Sequence, residues 1–290
     1  MTSERLSTKL RIQHPTEPTI QIVGILEQLA PNQPTQGRKI ALILHGTMGH
    51  KDYLFQRRLA HRFPLDSFRF DFRGNHETGG SWKQGALSDD MVDLQAVVDF
   101  LMSAYGYTIE LVVGHSRGSI VAFKWLSATE DGRKVPAFVN ASGRYRMAKI
   151  MESPAGTVWR EHFEKHGSYT WNVTVARQKI VATILPEDLQ EFVRWDTSFV
   201  WTQFPPTTDV LTVHGLADKT VPPYDAMIYA RALSDRTPGT HMLHLMEDGD
   251  HNFTGRQDDV VEVILQWWDT RQRGELNNGI LLAGSVKGKL

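Results

Sequence analysis

"LVVGHSRGSIVA", residues 111–122, joins an apolar run to a helix-like segment through a serine flanked by glycines. Leu111, Val112 and Val113 read as a strand covered on both faces. The stretch 117–128, "RGSIVAFKWLSA", reads as a helix. Gly114 and Gly118 stand two residues either side of Ser116, where the missing side chains let a helix pass close to a strand. Ser116 is then either a capping serine on an ordinary strand-to-helix turn or a hydroxyl raised above the carboxyl edge of a sheet as a nucleophile. The rest of the chain has to decide between them.

Working outward, strands and helices alternate. "STKLRIQH" and "TIQIVGILEQLA" read as a hairpin at a sheet edge, and "PNQPTQG" (31–37) as a turn-rich connector. Further strands are read at 39–46, 67–72, 109–114, 135–142, 209–215 and 241–247. Helices are read up to about Phe63 and at 89–104, 117–128, 223–234 and 258–272. This alternation predicts an α/β fold with a mostly parallel central sheet flanked by helices. Residues 143–205 break it, with no clear strand and with Trp159, Trp171, Trp195, Trp201, Phe163, Phe192 and Phe199 among their aromatics. The expected organisation is a core of residues 1–142 and 206–274, a helical cap inserted at 143–205, and a C-terminal tail at 275–290.

Composition narrows the class. The 290 residues are 41% hydrophobic and 22% charged, with net charge −1 and no block of like charge, so nothing in the bulk charge calls for nucleic acid or a membrane surface. The absence of cysteine excludes disulfides, thiolate chemistry and cysteine-held zinc. The polar start and the lack of a long apolar run predict a cytoplasmic protein without a secretory signal or membrane span. No cofactor is expected, and no metal: His241 and His244 fall three apart in a strand, on opposite faces.

A nucleophilic serine needs a base. His251, in "EDGDHNF", follows the strand 241–247, on the same edge as Ser116 if the sheet is parallel. Asp218, in "HGLADKTVPP", follows the strand 209–215 on that edge too and is placed to orient an imidazole. Asp225, Asp248 and Asp250 are worse placed, and His214 lies inside a strand. The chain order Ser116, Asp218, His251 suits an α/β-hydrolase. Oxyanion donors are expected from the backbone N–H of Arg117 and from the loop "HGTMGHKD", where Thr47 is first choice and Met48 second. His45 reads as a structural residue beneath that loop. Asp71 and Arg73 read as a local brace, and the Arg117 side chain as folded against its neighbours. Met48, His115, Trp159, Trp171 and Trp201 are the candidate substrate-binding residues.

"LHGTMGHKD", "FRFDFRGNHETGG", "VVGHSRGS" and the pair "HGLADKTVP" and "DGDHNF" resemble the α/β-hydrolase superfamily from about residue 20 to 272. Within it they are similar to the serine-aminopeptidase-like and feruloyl or cinnamoyl esterase-like branch. They depart from it at His76, where glycine is common, and at Thr78, where serine is. The resemblance implies metal-free acyl transfer, with Ser116 as nucleophile, His251 as base and Asp218 behind it, acting on a small-molecule ester. A lactonase, a peptidase, an acyltransferase and a hydrolase-fold receptor with little turnover remain open, as does the oligomeric state.

Overall fold

The computed structural model describes residues 5–281. Its strands are β1 (Leu6–Gln13), β2 (Gln21–Gln28), β3 (Lys39–Leu44), β4 (Asp66–Phe70), β5 (Thr108–His115), β6 (Ala137–Ala141), β7 (Tyr169–Val175), β8 (Gln178–Ile184), β9 (Asp209–Gly215), β10 (His241–Met246) and β11 (Gly279–Ile280). The helices are α1 (Gln56–Arg62), α2 (Leu87–Tyr105), α3 (Arg117–Ala128), α4 (Glu130–Arg133), α5 (Pro154–His166), α6 (Pro186–Arg194), α7 (Tyr224–Leu233) and α8 (Gln257–Gln272). Nine strands form one sheet in the order β1-β2-β4-β3-β5-β6-β9-β10-β11. Only the β1–β2 and β2–β4 pairs are antiparallel.

The central strands are apolar along their whole length because both faces are covered. Ile40, Leu42, Leu44, Val112 and Phe138 point to one side, against Leu94 and Val97 of α2, Ile120 and Phe123 of α3, and Tyr229 of α7. Ala41, Ile43, Val113 and Val139 point to the other, against Leu59 of α1 and Val260, Ile264 and Trp267 of α8. Since side chains alternate along a strand, one-residue offsets sort the strands into two separate cores. Among the described residues no helix is long and apolar enough to cross a membrane.

Between β6 and β9 the structure departs from the expected helical insertion. α5 and α6 flank an antiparallel hairpin, β7–β8, which forms a separate two-stranded sheet. Tyr169, Trp171, Val173 and Val175 face inward while Thr170, Asn172 and Thr174 are exposed. The turn was hidden because Ala176 and Arg177 carry it, both at positive φ (48° and 68°). Two-residue hairpin turns with that backbone are normally marked by Asn-Gly or Asp-Gly. The expected tail also contributes structure, with Gly279 and Ile280 pairing parallel to Met242 and Leu243. The rest of it, 282–290, lies outside the described residues.

Candidate active site

Ser116 follows β5 directly and precedes the first residue of α3. Its backbone sits at φ 51°, ψ −114°, a region that costs a non-glycine residue about 1–3 kcal/mol and persists only where neighbours enforce it. The Ser116 N–H donates to Ala141 O (2.8 Å), and its carbonyl accepts from the N–H of Ser119 and Ile120. Ser119 Oγ caps Gly114 O at 2.7 Å. A Cβ on Gly114 would lie 2.6 Å from the Ser119 backbone, and one on Gly118 2.6 Å from His45 O. The two glycines are therefore what close packing of α3 against β3 and β5 requires.

The strand ends deliver the partners. His251 Nε2 lies 2.9 Å from Ser116 Oγ. On the other side of the ring, Nδ1 lies 2.8 Å from Asp218 Oδ2. An ionised Asp218 can only accept, so Nδ1 carries the proton and Nε2 faces the serine hydroxyl as acceptor. The His251 backbone is pinned from two directions. His115 Nε2 donates to its carbonyl (2.9 Å), and Asp250 Oδ1 accepts the N–H of Asn252 and Thr254.

Asp218 is buried, which alone would raise its pKa. Hydrogen bonds from His214 and His251, and from the N–H of Val221, outweigh burial and hold the carboxyl well below the usual range. Oδ1 accepts the N–H of Thr220 and Val221, each at 2.8 Å. His214 was passed over as a strand residue, yet its Nε2 donates to Val221 O at 2.9 Å and lies 3.3 Å from Asp218 Oδ2. Its place one residue from the carboxyl end of β9 was the available signal. It contacts the carboxylate and does not line the cavity above Ser116.

The loop after β3 lies over the serine. Thr47 and Met48 N–H take no backbone partner among the described residues, and Met48 is held at φ 50°. Arg117 N–H opens α3 and so has no carbonyl four residues back within the helix. His45 braces this loop, with Nδ1 donating to Gly46 O (2.8 Å) and Nε2 accepting from Phe72 N–H (3.0 Å). Burial pushes its pKa down to about 4. The Arg117 side chain is bound to Asp90 Oδ2 (2.5 Å) and Gln84 O (2.6 Å).

A cavity of about 580 Å³ opens above Ser116. Met48, Ile120, Trp159, Trp171, Val173 and Phe192 supply apolar wall, so the inserted segment closes over the serine. Among the lining residues not anticipated from the sequence are Tyr53, Gln84, Arg144 and Lys219. Arg144 follows the carboxyl end of β6, which made it legible in principle. One of the expected binding residues needs correction. Trp201 is not among the lining residues; it is 45% exposed and its Nε1 donates to Tyr145 Oη. His115 lines the cavity as expected, with Nε2 donating to the His251 carbonyl, and burial pushes its pKa down to about 3.

The remaining charged candidates are paired off. Arg73 is engaged by Asp93, Glu17 and His14. Asp71, His76 and Glu77 present converging donor atoms, but Lys51 Nζ already sits among them, 2.5 Å from Asp71 and 2.6 Å from Glu77. An ammonium fills the place a cation would take.

The family described as "Alpha/beta hydrolase family" matches residues 41–263. An uncharacterized protein of Saccharomyces cerevisiae is 30% identical over 251 residues, covering 76% of this chain and 70% of that protein. Among solved structures, Est1E from Butyrivibrio proteoclasticus, determined with ferulic acid bound, superposes with a TM-score of 0.68 at 15% identity, over 91% of this chain and 99% of that one. A soluble variant of monoglyceride lipase from Saccharomyces cerevisiae, in complex with a substrate analog, superposes with a TM-score of 0.67 at 14% identity, over 91% and 96%. At these identities the structural likeness speaks for the shared fold.

Proposed function

The chain belongs to the alpha/beta hydrolase family, and we propose that it is a serine hydrolase that cleaves carboxylic esters through an acyl-enzyme. The observation that carries this reading is the line from Ser116 Oγ through His251 to Asp218, with contacts of 2.9 and 2.8 Å. In the proposed reaction Ser116 Oγ attacks the ester carbonyl carbon while His251 Nε2 takes the hydroxyl proton. His251 then returns that proton to the leaving alcohol. Water, deprotonated by the same nitrogen, then attacks the acyl carbon; the bond to Ser116 Oγ breaks, the acid leaves, and His251 returns the proton to Ser116 Oγ. Asp218 keeps the ring oriented and stabilises the imidazolium formed in each step. The N–H groups of Thr47 and Arg117 hold the oxyanion, each worth about 3 kcal/mol of barrier.

The apolar cavity walls favour an ester over a peptide, whose backbone N–H donors would need partners there, and Trp159 and Trp171 offer faces for a flat acyl or aryl group. The inserted segment 143–205 forms the lid over the serine and shapes the pocket for the acyl group. The protein acts in the cytoplasm on small molecules and needs no cofactor. The test is turnover of p-nitrophenyl esters of rising acyl length, and of methyl ferulate, by wild type and Ser116→Ala. Wild-type turnover reduced at least about a thousandfold in the variant, with an unchanged circular dichroism spectrum, is expected. Undiminished turnover in the variant rules the assignment out.

A further inference from the structure

The charge lining the cavity is one-sided. Arg117, Arg144 and Lys219 border it, and no aspartate or glutamate does. This is local, since the whole chain carries a net charge of −1. Arg117 is neutralised by Asp90. Arg144 is not neutralised in that way. It is 4% exposed, yet among the described residues its side chain makes one hydrogen bond, Nη2 to the Thr220 carbonyl at 2.5 Å, and no ion pair. A guanidinium has five N–H donors in a planar fork, so four remain without a protein partner.

The nearby carboxylates are committed elsewhere. Asp225 accepts the N–H of Tyr145 and Arg146 and the Arg146 guanidinium. Asp218 is taken up by His214, His251 and two backbone N–H groups. Burial disfavours the guanidinium charge and the fields of Asp225 and Asp218 offset this only in part, so an anion in the cavity is favoured beside Arg144. Its carbonyl is tied to Tyr229 Oη (2.8 Å), so the residue is fixed in place. Lys219 adds a second, exposed cation beside it, with no ion pair among the described residues.

We infer that the substrate carries a carboxylate, bound by Arg144 while its ester carbonyl lies at Ser116. Guanidinium and carboxylate match as planar, two-point partners. The preferred substrates are half-esters of dicarboxylic acids, or acyl groups ending in a carboxylate. This rests on Ser116 being the reacting centre.

The experiment compares mono-p-nitrophenyl succinate, glutarate and adipate with the neutral p-nitrophenyl esters of equal acyl length. The expected result is at least a tenfold higher kcat/KM for one anionic member over its neutral match, expressed mainly in KM and shrinking as salt rises. Arg144→Gln brings that ratio close to one, and Arg144→Lys restores part of it. Separately, calorimetric titration of succinate, glutarate and adipate into Ser116→Ala, with the corresponding monocarboxylates as controls, reads anion binding without turnover. Ester turnover with no anionic preference, together with no dicarboxylate binding, overturns the inference. Dicarboxylate binding without any ester turnover keeps the anion site and rejects the esterase reading. A preference that survives Arg144→Gln assigns the site to other residues and overturns the role of Arg144.

Discussion

At the scale of single residues, the site depends on how tightly Asp218 is held. Its carboxylate accepts from the His251 ring, from His214 and from two backbone N–H groups. Only the first of these faces the proposed chemistry. His214→Leu removes one donor and leaves the carboxylate freer to rotate. A charge-assisted hydrogen bond contributes about 1.5–3 kcal/mol. If that loss falls on orientation of the His251 ring, kcat drops about tenfold or more with KM little changed. His214→Gln retains an N–H donor and recovers part of the loss. Steady-state kinetics on one p-nitrophenyl ester checks this, and a rise in KM at constant kcat would place His214 in substrate binding instead.

At the scale of elements, the β7–β8 hairpin is the piece the sequence concealed. Trp171 and Val173 reach the cavity from it, and it packs on Met48 through Val175 and Ala182. It therefore supports both the loop after β3 and the cavity wall. Its weak point is the Ala176–Arg177 turn, where both residues hold positive φ. An L-residue with a Cβ pays about 1–2 kcal/mol there, and Asn-Gly avoids most of it. The double substitution Ala176→Asn with Arg177→Gly is expected to slow amide exchange across 169–184 about tenfold, measured by hydrogen–deuterium exchange. Exchange unchanged by the substitution means that packing, not the turn, limits opening of the hairpin. The same residues explain the misreading. The period-two pattern of "YTWNVTV" was present in the sequence, but no glycine or asparagine marked the reversal.

For the molecule as a whole, buried histidines set the acid limit. Burial lowers His45 to about 4 and His115 and His241 to about 3. All three stay neutral in the folded chain but protonate near pH 6.5 once unfolded. Asp90 works in the opposite direction, since burial pushes it up to about 6, so the folded state takes up its proton first. Between about pH 6 and pH 4 the unfolded chain thus binds a net two protons more, and stability falls as the pH falls. Urea unfolding at pH 5 is expected to give a stability lower than at pH 7 by roughly 2–5 kcal/mol. Equal stability at the two pH values would show that these rings are protonated in the folded state.

The strand-to-helix turn at Ser116, the carboxyl ends that carry Asp218 and His251, and the alternation that makes a parallel sheet were all legible in the sequence. Each rests on local signals: apolar runs, glycines at fixed offsets, and chain order. The fold itself and the elements around the sheet follow from them. What the tertiary structure decided lies between segments far apart in the chain. Arg144 and Trp171 share a cavity with Ser116, while Trp201 turns outward to Tyr145. His214 reaches Asp218 because β9 ends where the loop curls back. Lys51 fills the Asp71–His76–Glu77 cluster. Local pattern specifies which face of a strand or helix is apolar. Which side chains then meet across a cavity, and which charges find partners, is set only when the packed elements fix distance and direction together.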